Sequence, residues 1–445
     1  MIEQKKKKKR LTSFQIIILG FAGAILLGSV ILMLPFSSAE GRLTPFNEAL
    51  FTSTSAVCVT GLVVHDTASY WSVFGQTVIL ILIQVGGLGV ITVAASFAIL
   101  SGKKISLMQR STMQEAMAAP EVGGIVKLTF FILKSTFIIE FAGAVVMMPV
   151  FIRDYGVRGI GMAVFHSVSA FCNAGFDVMG TAASGYVSLT PYGSDILINV
   201  TVMLLIVTGG LGFLTWEDVL VHRFRFRRYR LQSKVILVTT ACLIIVPALF
   251  LFFTDFSDFP VGERILYSFF QAITPRTAGF NTVDLSVLSG AGRAVIIILM
   301  LTGGSPGSTA GGMKTTTFAV LAVNMFSGFR RKKDLRMFGR EIETSVIKDA
   351  ATILLLYLSL FISGGILISV ADGLPLPVCL FETASAVGTV GLSLGITPGL
   401  GLLSQCILMI LMFAGRVGGL TLMYAALSKS NDNVSKLPKE KITVG

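Results

Sequence analysis

The chain has 445 residues, of which 53% are hydrophobic and 13% charged, and its mean hydropathy is +0.80. Soluble domains carry about 25% charged residues, so composition excludes a soluble class and indicates an integral membrane protein. The net charge of +12 is not a nucleic-acid footprint, because most Lys and Arg lie in five segments that alternate with acidic connections.

The basic segments are 5–10, 103–127, 223–234, 330–348 and the tail from Lys429. Between them come Glu40, Asp66, Asp154, Asp195, Asp255, Asp258 and Asp284. This alternation is the positive-inside pattern and places both termini in the cytoplasm, on a multi-pass protein of the cell membrane. Part of the basic charge is available to anionic lipid or to a cytoplasmic partner. The five cysteines, Cys58, Cys172, Cys242, Cys379 and Cys406, stand far apart in or beside apolar segments and form neither a metal cluster nor a disulfide framework.

Residues 1–13 read as a basic cytoplasmic N-terminus. The following apolar segment 14–34 is long enough to span, for which about 20 residues are needed, and no small-residue cleavage site follows it. It reads as the first retained helix. Each quarter of the chain then repeats one plan: a long apolar segment, a shorter half-polar stretch, and a second long apolar segment. These lie at 14–34, 46–63 and 75–100; at 126–152, 160–177 and 193–219; at 234–254, 262–281 and 291–325; and at 350–371, 375–393 and 399–427. The repeats run 14–101, 126–222, 234–329 and 348–428, with a cytoplasmic tail at 429–445.

The middle stretches are too short and too rich in Ser, Thr and Gly to cross. The segments around them begin and end on the basic side, so each middle stretch enters and leaves from outside. Pro45 and Pro375 stand near the starts of two, where a helix tolerates proline. The expected fold is all-α: four tandem helix–re-entrant pore loop–helix repeats, with eight transmembrane helices, around a central pseudo-four-fold pore. All four run in one sense, whereas inverted repeats would suggest a rocking transporter.

Each middle stretch ends on a glycine: Gly61, Gly175, Gly279 and Gly391. Ten residues earlier stands Phe51, Phe165, Phe269 or Phe381, and five earlier Ala56, Ala170, Thr274 or Ala386. Glycine suits a turn whose backbone angles L-residues resist. Carbonyl oxygens at such a turn replace the water that a cation sheds. The candidate ligands for K⁺ are the carbonyls of Val59, Thr60 and Gly61; of Asn173, Ala174 and Gly175; of Thr277, Ala278 and Gly279; and of Thr389, Val390 and Gly391.

The string TVGL at 389–392 resembles a shortened K⁺-channel filter, and the fourfold plan resembles the Trk/Ktr/HKT superfamily of K⁺ transporters over roughly 14–428. Eight crossings make it most similar to the bacterial Ktr ion-conducting membrane subunit. The resemblance implies K⁺ uptake by channel-like conduction driven by the membrane potential. Gly61 in the first loop, where Na⁺-favouring relatives carry Ser, implies selectivity for K⁺. It also implies a homodimer and a separate cytosolic ring of nucleotide-binding RCK subunits. Nucleotide is then expected on the partner, with no cofactor in this chain beyond permeant K⁺. The basic loops 223–234 and 330–340 and the tail are the expected contacts.

Below the filter, glycines recur at Gly86, Gly209, Gly303 and Gly415. The plain reading is close packing of small residues. The GGLG strings are not a nucleotide fingerprint, since no strand precedes them. Only the third inner segment is expected to break: 301–317 holds Gly303, Gly304, Ser305, Pro306, Gly307, Gly311 and Gly312, residues costly to a helix. It reads as an intramembrane gate that includes Lys314; the alternative is a packing kink with Lys314 reaching the cytoplasm. Arg416 takes the slot of Gly87, Gly210 and Gly304. It reads either as a barrier in the pore, bonded to carbonyls of 304–312, or as a pair with Glu140, the one mid-helix acid.

Arg276 is expected to scaffold the filter through a pair with Glu382. Asp177 either draws cations to the mouth or is an ordinary solvated carboxylate. His65, His166 and His222 read as structural. No catalytic constellation is present, so the chain is not expected to be an enzyme. The rival reading is a cation-coupled secondary transporter with alternating access, for which Glu140 is the only buried acid on offer.

Overall fold

The computed structural model describes residues 12–101, 105–119, 121, 123–181, 184–223, 225–332, 334–419 and 421; the basic run 5–10 and the tail from Lys429 lie outside them. Four outer helices, one per repeat, are Ser13–Leu32, Ile125–Tyr155, Leu231–Phe253 and Thr344–Asp372. Each is apolar all round and long enough to cross a membrane, as lipid on one side and protein on the other demand. Thr12 and Gln15 close the first with a reciprocal capping box. Gly156 and Gly373 end the second and fourth with φ of 61° and 67°.

The half-polar stretches form short pore helices: Phe46–Val57, Arg158–Phe171, Val261–Ile273 and Leu376–Gly388. At 1.5 Å per residue they reach only about 20 Å. Pro45, Pro260 and Pro375 precede three of them. Three of the four pore helices, those of the first, second and fourth repeats, are fastened to the outer helix of their own repeat by hydroxyl bonds at one register. Ser53 Oγ donates to the Ile25 carbonyl (2.7 Å), Ser167 Oγ to Glu140 (2.6 Å) and Thr383 Oγ1 to Phe361 (3.2 Å). The close approach rests on Gly28 and Gly143, where a Cβ would lie under 3.0 Å from Ser53 Oγ or Ser167 Oγ.

The inner segments differ from expectation. Breakage is not confined to the third. Val73–Leu88 turns by 93° into Val90–Leu100, and Ile196–Leu211 turns by 98° into Phe213–His222. The third runs Gly290–Leu301, then non-helical chain, then Thr315–Phe329; the fourth, Leu402–Val417, ends at Gly418. The breaks fall on Gly89, Gly212 and Gly418, with φ of 86°, 90° and 90°, backbone that only glycine adopts at low cost. In the second repeat the turned half ends beside the basic loop 223–234. There Asp218 accepts from the Arg230 amide (2.9 Å) and Ser233 Oγ (2.6 Å) and so ties the start of the third outer helix to the turned half.

Replacing Gly143 with Val drives methyls into Ser167 and Leu205, whereas Gly23 faces open space on its helix. Thermal unfolding in detergent is expected to register a loss of about 1–3 kcal/mol for Gly143→Val and little change for Gly23→Val.

Candidate ion pathway

The four pore helices end in loops of one design. Val59, Asn173, Thr277 and Thr389 have φ of 57°, 59°, 73° and 53°, and Gly61, Gly175, Gly279 and Gly391, two residues on, have 89°, 68°, 81° and 96°. Non-glycine residues rarely adopt such angles. Four at one register mark a built feature held by its surroundings. The residues between keep negative φ, and this alternation turns successive carbonyls to a common side of the strand.

The loops close into a ring. A Cβ on Gly61 would lie under 3.0 Å from the Ala174 carbonyl; on Gly175, from Ala278; on Gly279, from Val390; and on Gly391, from Thr60. Each contact runs from one repeat to the next and the last returns to the first. The four predicted glycines are therefore one closed structure, in chain order about a single axis.

Hydroxyls that the glycine pattern did not single out hold the ring. The Gly61 and Gly391 amides donate to Ser55 Oγ (3.1 Å) and Ser385 Oγ (2.9 Å), while Ser169 Oγ and Thr274 Oγ1 donate to the Phe176 and Phe280 carbonyls (both 2.7 Å). Ser55, Ser169 and Ser385 stand six residues before their glycine, but Thr274 stands five before. Pro275 explains the offset: it cannot continue the helix, so the third pore helix stops at Ile273. The expected equivalence of Phe269 with the other phenylalanines is corrected accordingly. Phe51, Phe165 and Phe381 are buried, Phe269 is 39% exposed, and Phe270 occupies the buried place.

Arg276 and Glu382 are both buried but are not partners. The Glu382 carboxylate accepts from Ser393 Oγ, Thr397 Oγ1 (2.9 Å) and the Leu394 amide (3.2 Å), and so braces the chain leaving its own loop. Arg276 reaches Thr240 Oγ1 on the third outer helix (3.4 Å), and its backbone carbonyl accepts from Asn173 Nδ2. Asn173 was expected to act only through its carbonyl, yet its side chain joins three parts. It donates to Arg276 O and Thr277 Oγ1 in the third loop (3.3 Å each) and accepts from Thr309 Oγ1 below (3.3 Å).

Below the ring, the inner-segment glycines do more than pack helices. A Cβ on Gly86, Gly209 or Gly415 would meet the carbonyl of Val57, Phe171 or Val387, at the base of one of the ring's loops. The helix breaks just beyond leave carbonyls without helical partners, and the non-helical segment 302–314 supplies donors. Ser305 and Thr309 amides donate to Gly210 (3.0 Å) and Gly209 (3.2 Å), and Gly312 to Gly415 (3.2 Å). Thr309 Oγ1 shares its one hydrogen between Phe171 O (3.0 Å) and Asn173 Oδ1 (3.3 Å). Lys314 folds back on the segment, donating to Ala310 O (2.8 Å) and Gly311 O (3.5 Å), and does not run out to the cytoplasm.

Arg416 completes this layer. Its guanidinium donates to the carbonyls of Thr309, Gly86 and Gly87. The predicted bond to a carbonyl within 304–312 is present at Thr309. The alternative partner, Glu140, is bonded instead by Gln84 Nε2 (3.3 Å) and Cys172 Sγ (3.8 Å).

On the far side of the ring lies a mouth of about 320 Å³ lined by the four glycines together with Asp66, Asp177 and Tyr186. Asp66 accepts from the Ser69 and Tyr186 amides (2.9 Å each) and pins the second repeat's outer loop to the first. Burial pushes the Asp177 carboxyl up to about 7, against the Met179 amide and with the Asp66 charge adding to it. His65 bonds Glu48 (2.6 Å), and His166 bonds Met162 O (2.7 Å) and the Val178 amide (3.5 Å).

The profile of the family described as "TrkH: Cation transport protein" matches residues 4–436. The chain is 39% identical over 456 residues to the potassium/sodium uptake protein NtpJ of Enterococcus hirae, covering 100% of both. It is 35% identical to the Ktr system potassium uptake protein B of Bacillus subtilis, covering 98% of this chain and 97% of that one. The crystal structure of the potassium transporter TrkH from Vibrio parahaemolyticus superposes with a TM-score of 0.75 at 17% identity, over 96% of this chain and 87% of that one; at that identity the likeness is one of fold.

Two outcomes are expected from this geometry. Ser55→Ala leaves the buried Gly61 amide unpaired, a cost of about 1–3 kcal/mol; ⁸⁶Rb⁺ uptake should fall and Na⁺ discrimination weaken, while Ser55→Thr retains both. For Asp177, whose carboxyl is raised, protonation on lowering the pH from about 8 to about 6 removes a negative charge from the mouth. Cation uptake at low external concentration should decline over that window, and Asp177→Asn should be low and flat across it.

Proposed function

This chain belongs to the TrkH cation-transport family, and from that premise we propose that it takes K⁺ into the cell by channel-like conduction, driven by the membrane potential. The observation that carries the reading is the closed ring of Gly61, Gly175, Gly279 and Gly391 with the carbonyls between them. Such a ring replaces the hydration of a bare cation at several levels along one axis. The carbonyls of residues 59–61, 173–175, 277–279 and 389–391 are the ligands in this reading, and no resident metal or cofactor is needed. The pore helices point their C-termini at the ring, the end that favours a cation.

Directly beneath, segment 302–314 and Arg416 occupy the path. The segment is held by carbonyls at the helix breaks and Arg416 by two such carbonyls and that of Thr309, so both can exchange those bonds for water when they move. We assign them the gate: the segment as the movable part and Arg416 as a positive barrier. A cytosolic ring of nucleotide-binding RCK subunits fits as the regulator, on a homodimer of this chain in the cell membrane with cytoplasmic termini. The contact is assigned to the basic loops. One of them carries a short hairpin, Arg336–Met337 paired with Arg340–Glu341, next to Arg330 and Arg331, with Arg336 largely exposed. A coupled transporter with alternating access is less well supported, since the four repeats share one orientation and surround one fixed axis.

Two measurements test the proposal. In proteoliposomes, ⁸⁶Rb⁺ uptake should follow the membrane potential with no gradient of a second ion; strict dependence on a co-ion gradient would overturn conduction. Arg416→Ser should raise K⁺ flux, about tenfold for each 1.4 kcal/mol of barrier removed. Unchanged flux in a folded protein would remove Arg416 from the gate.

A further inference from the structure

The rung at which the pore helices hang from the outer helices is occupied by Ile25 in the first repeat and Phe361 in the fourth, but by Glu140 in the second. The fold therefore does not require an acid there, since an apolar side chain serves the same backbone bond twice. Glu140 is only 5% exposed. Among the described residues no cation pairs with it; its carboxylate is met by the Gln84 amide at 3.3 Å and the Cys172 thiol at 3.8 Å.

The acid also forms the floor of a groove of about 330 Å³ between the first inner helix, the second outer helix and the second pore helix. The walls are apolar, among them Leu80, Ile81, Phe137, Phe141 and Val164. Ile81, Phe137 and Phe141 are more than half exposed on the protein's flank, the face turned to lipid hydrocarbon. One acid under apolar walls, without a protein cation, complements a ligand with one positive end and one apolar end. A lipid acyl chain would fill the walls yet leave the carboxylate unmatched.

We propose that this groove is a membrane-accessible binding site for amphiphilic ammonium ions, with the ammonium on the Glu140 carboxylate and the alkyl chain along Phe137 and Phe141. The ammonium provides the charge-assisted hydrogen bonds that Gln84 and Cys172 supply only weakly. The alkyl chain exchanges lipid or detergent contact for the apolar walls, so selectivity for the site rests on the charge. The ammonium's partner Glu140 is in turn bonded by Cys172, three residues before Gly175, which links the groove to the second loop. The site is independent of whether the pore conducts by the route proposed above.

Thermal unfolding of the purified full-length protein in maltoside micelles, titrated with octylamine at mildly alkaline pH, where carboxylate and ammonium are both charged, tests the site. A ligand that binds only the folded state raises Tm in a saturable way. Octylammonium should do so, whereas octanol, with the same chain and no charge, should not. Glu140→Gln should weaken the apparent affinity at least tenfold, and Val164→Phe, which fills the groove and leaves the carboxylate in place, should do likewise. The absence of a shift with octylamine, an equal shift with octanol, or undiminished affinity in both variants would overturn the proposal.

Discussion

Non-helical backbone at membrane depth must find every hydrogen-bond partner within the protein, and this chain places such backbone in two stacked layers. In the upper layer, left-handed residues turn carbonyls toward an axis and leave their amides behind. Ser55, Ser169, Thr274 and Ser385 accept those amides or hold the flanking carbonyls. In the lower layer, breaks at Gly89, Gly212 and Gly418 expose the carbonyls of the preceding turn. Segment 302–314 and Arg416 provide the missing donors. In the proposed gating the segment and Arg416 thus also cap the helices beneath the ring, so opening requires that water take over the vacated carbonyls.

The two layers share side chains. Asn173 holds a left-handed angle in the second loop, grips the third loop through its amide nitrogen, and takes the Thr309 hydroxyl from below through its amide oxygen. Movement of the lower segment therefore changes the number of bonds holding two filter loops. Glu382 acts in the other direction, tying the fourth pore helix to the chain beyond its loop. The ring thus draws its supports from several repeats at once.

Much of this could be read from residues alone. Four glycines at quarter-chain intervals gave the repeat, the ring and the fold, because a left-handed turn admits few alternatives to glycine. The break in the third inner segment was equally plain, with Pro306 among its glycines. The breaks in the other three were not, although Gly89, Gly212 and Gly418 each stand three residues after a packing glycine. A single glycine in an apolar run is compatible with a straight helix, and only the ligands for the freed carbonyls, far off in sequence, decide the matter. The Arg276–Glu382 pair failed for a related reason. Opposite charges in neighbouring loops suggested a bridge, yet local hydroxyls and an amide already satisfied Glu382. The slip from Phe269 to Phe270 arose because Pro275 ends its helix early, a shift of one residue that hydrophobic spacing does not register.

The order of the ring has a further consequence. Repeats one and two, two and three, and three and four are neighbours joined by the chain itself, whereas four and one meet with no covalent link between them. That seam is closed only by contacts, with Gly391 against the Thr60 carbonyl above and the Arg416 guanidinium on Gly86 and Gly87 below. The arginine proposed as the barrier is therefore also a stitch across the one joint of the barrel that the polypeptide leaves open. A gate placed there governs the bore and the closure of the wall with the same side chain.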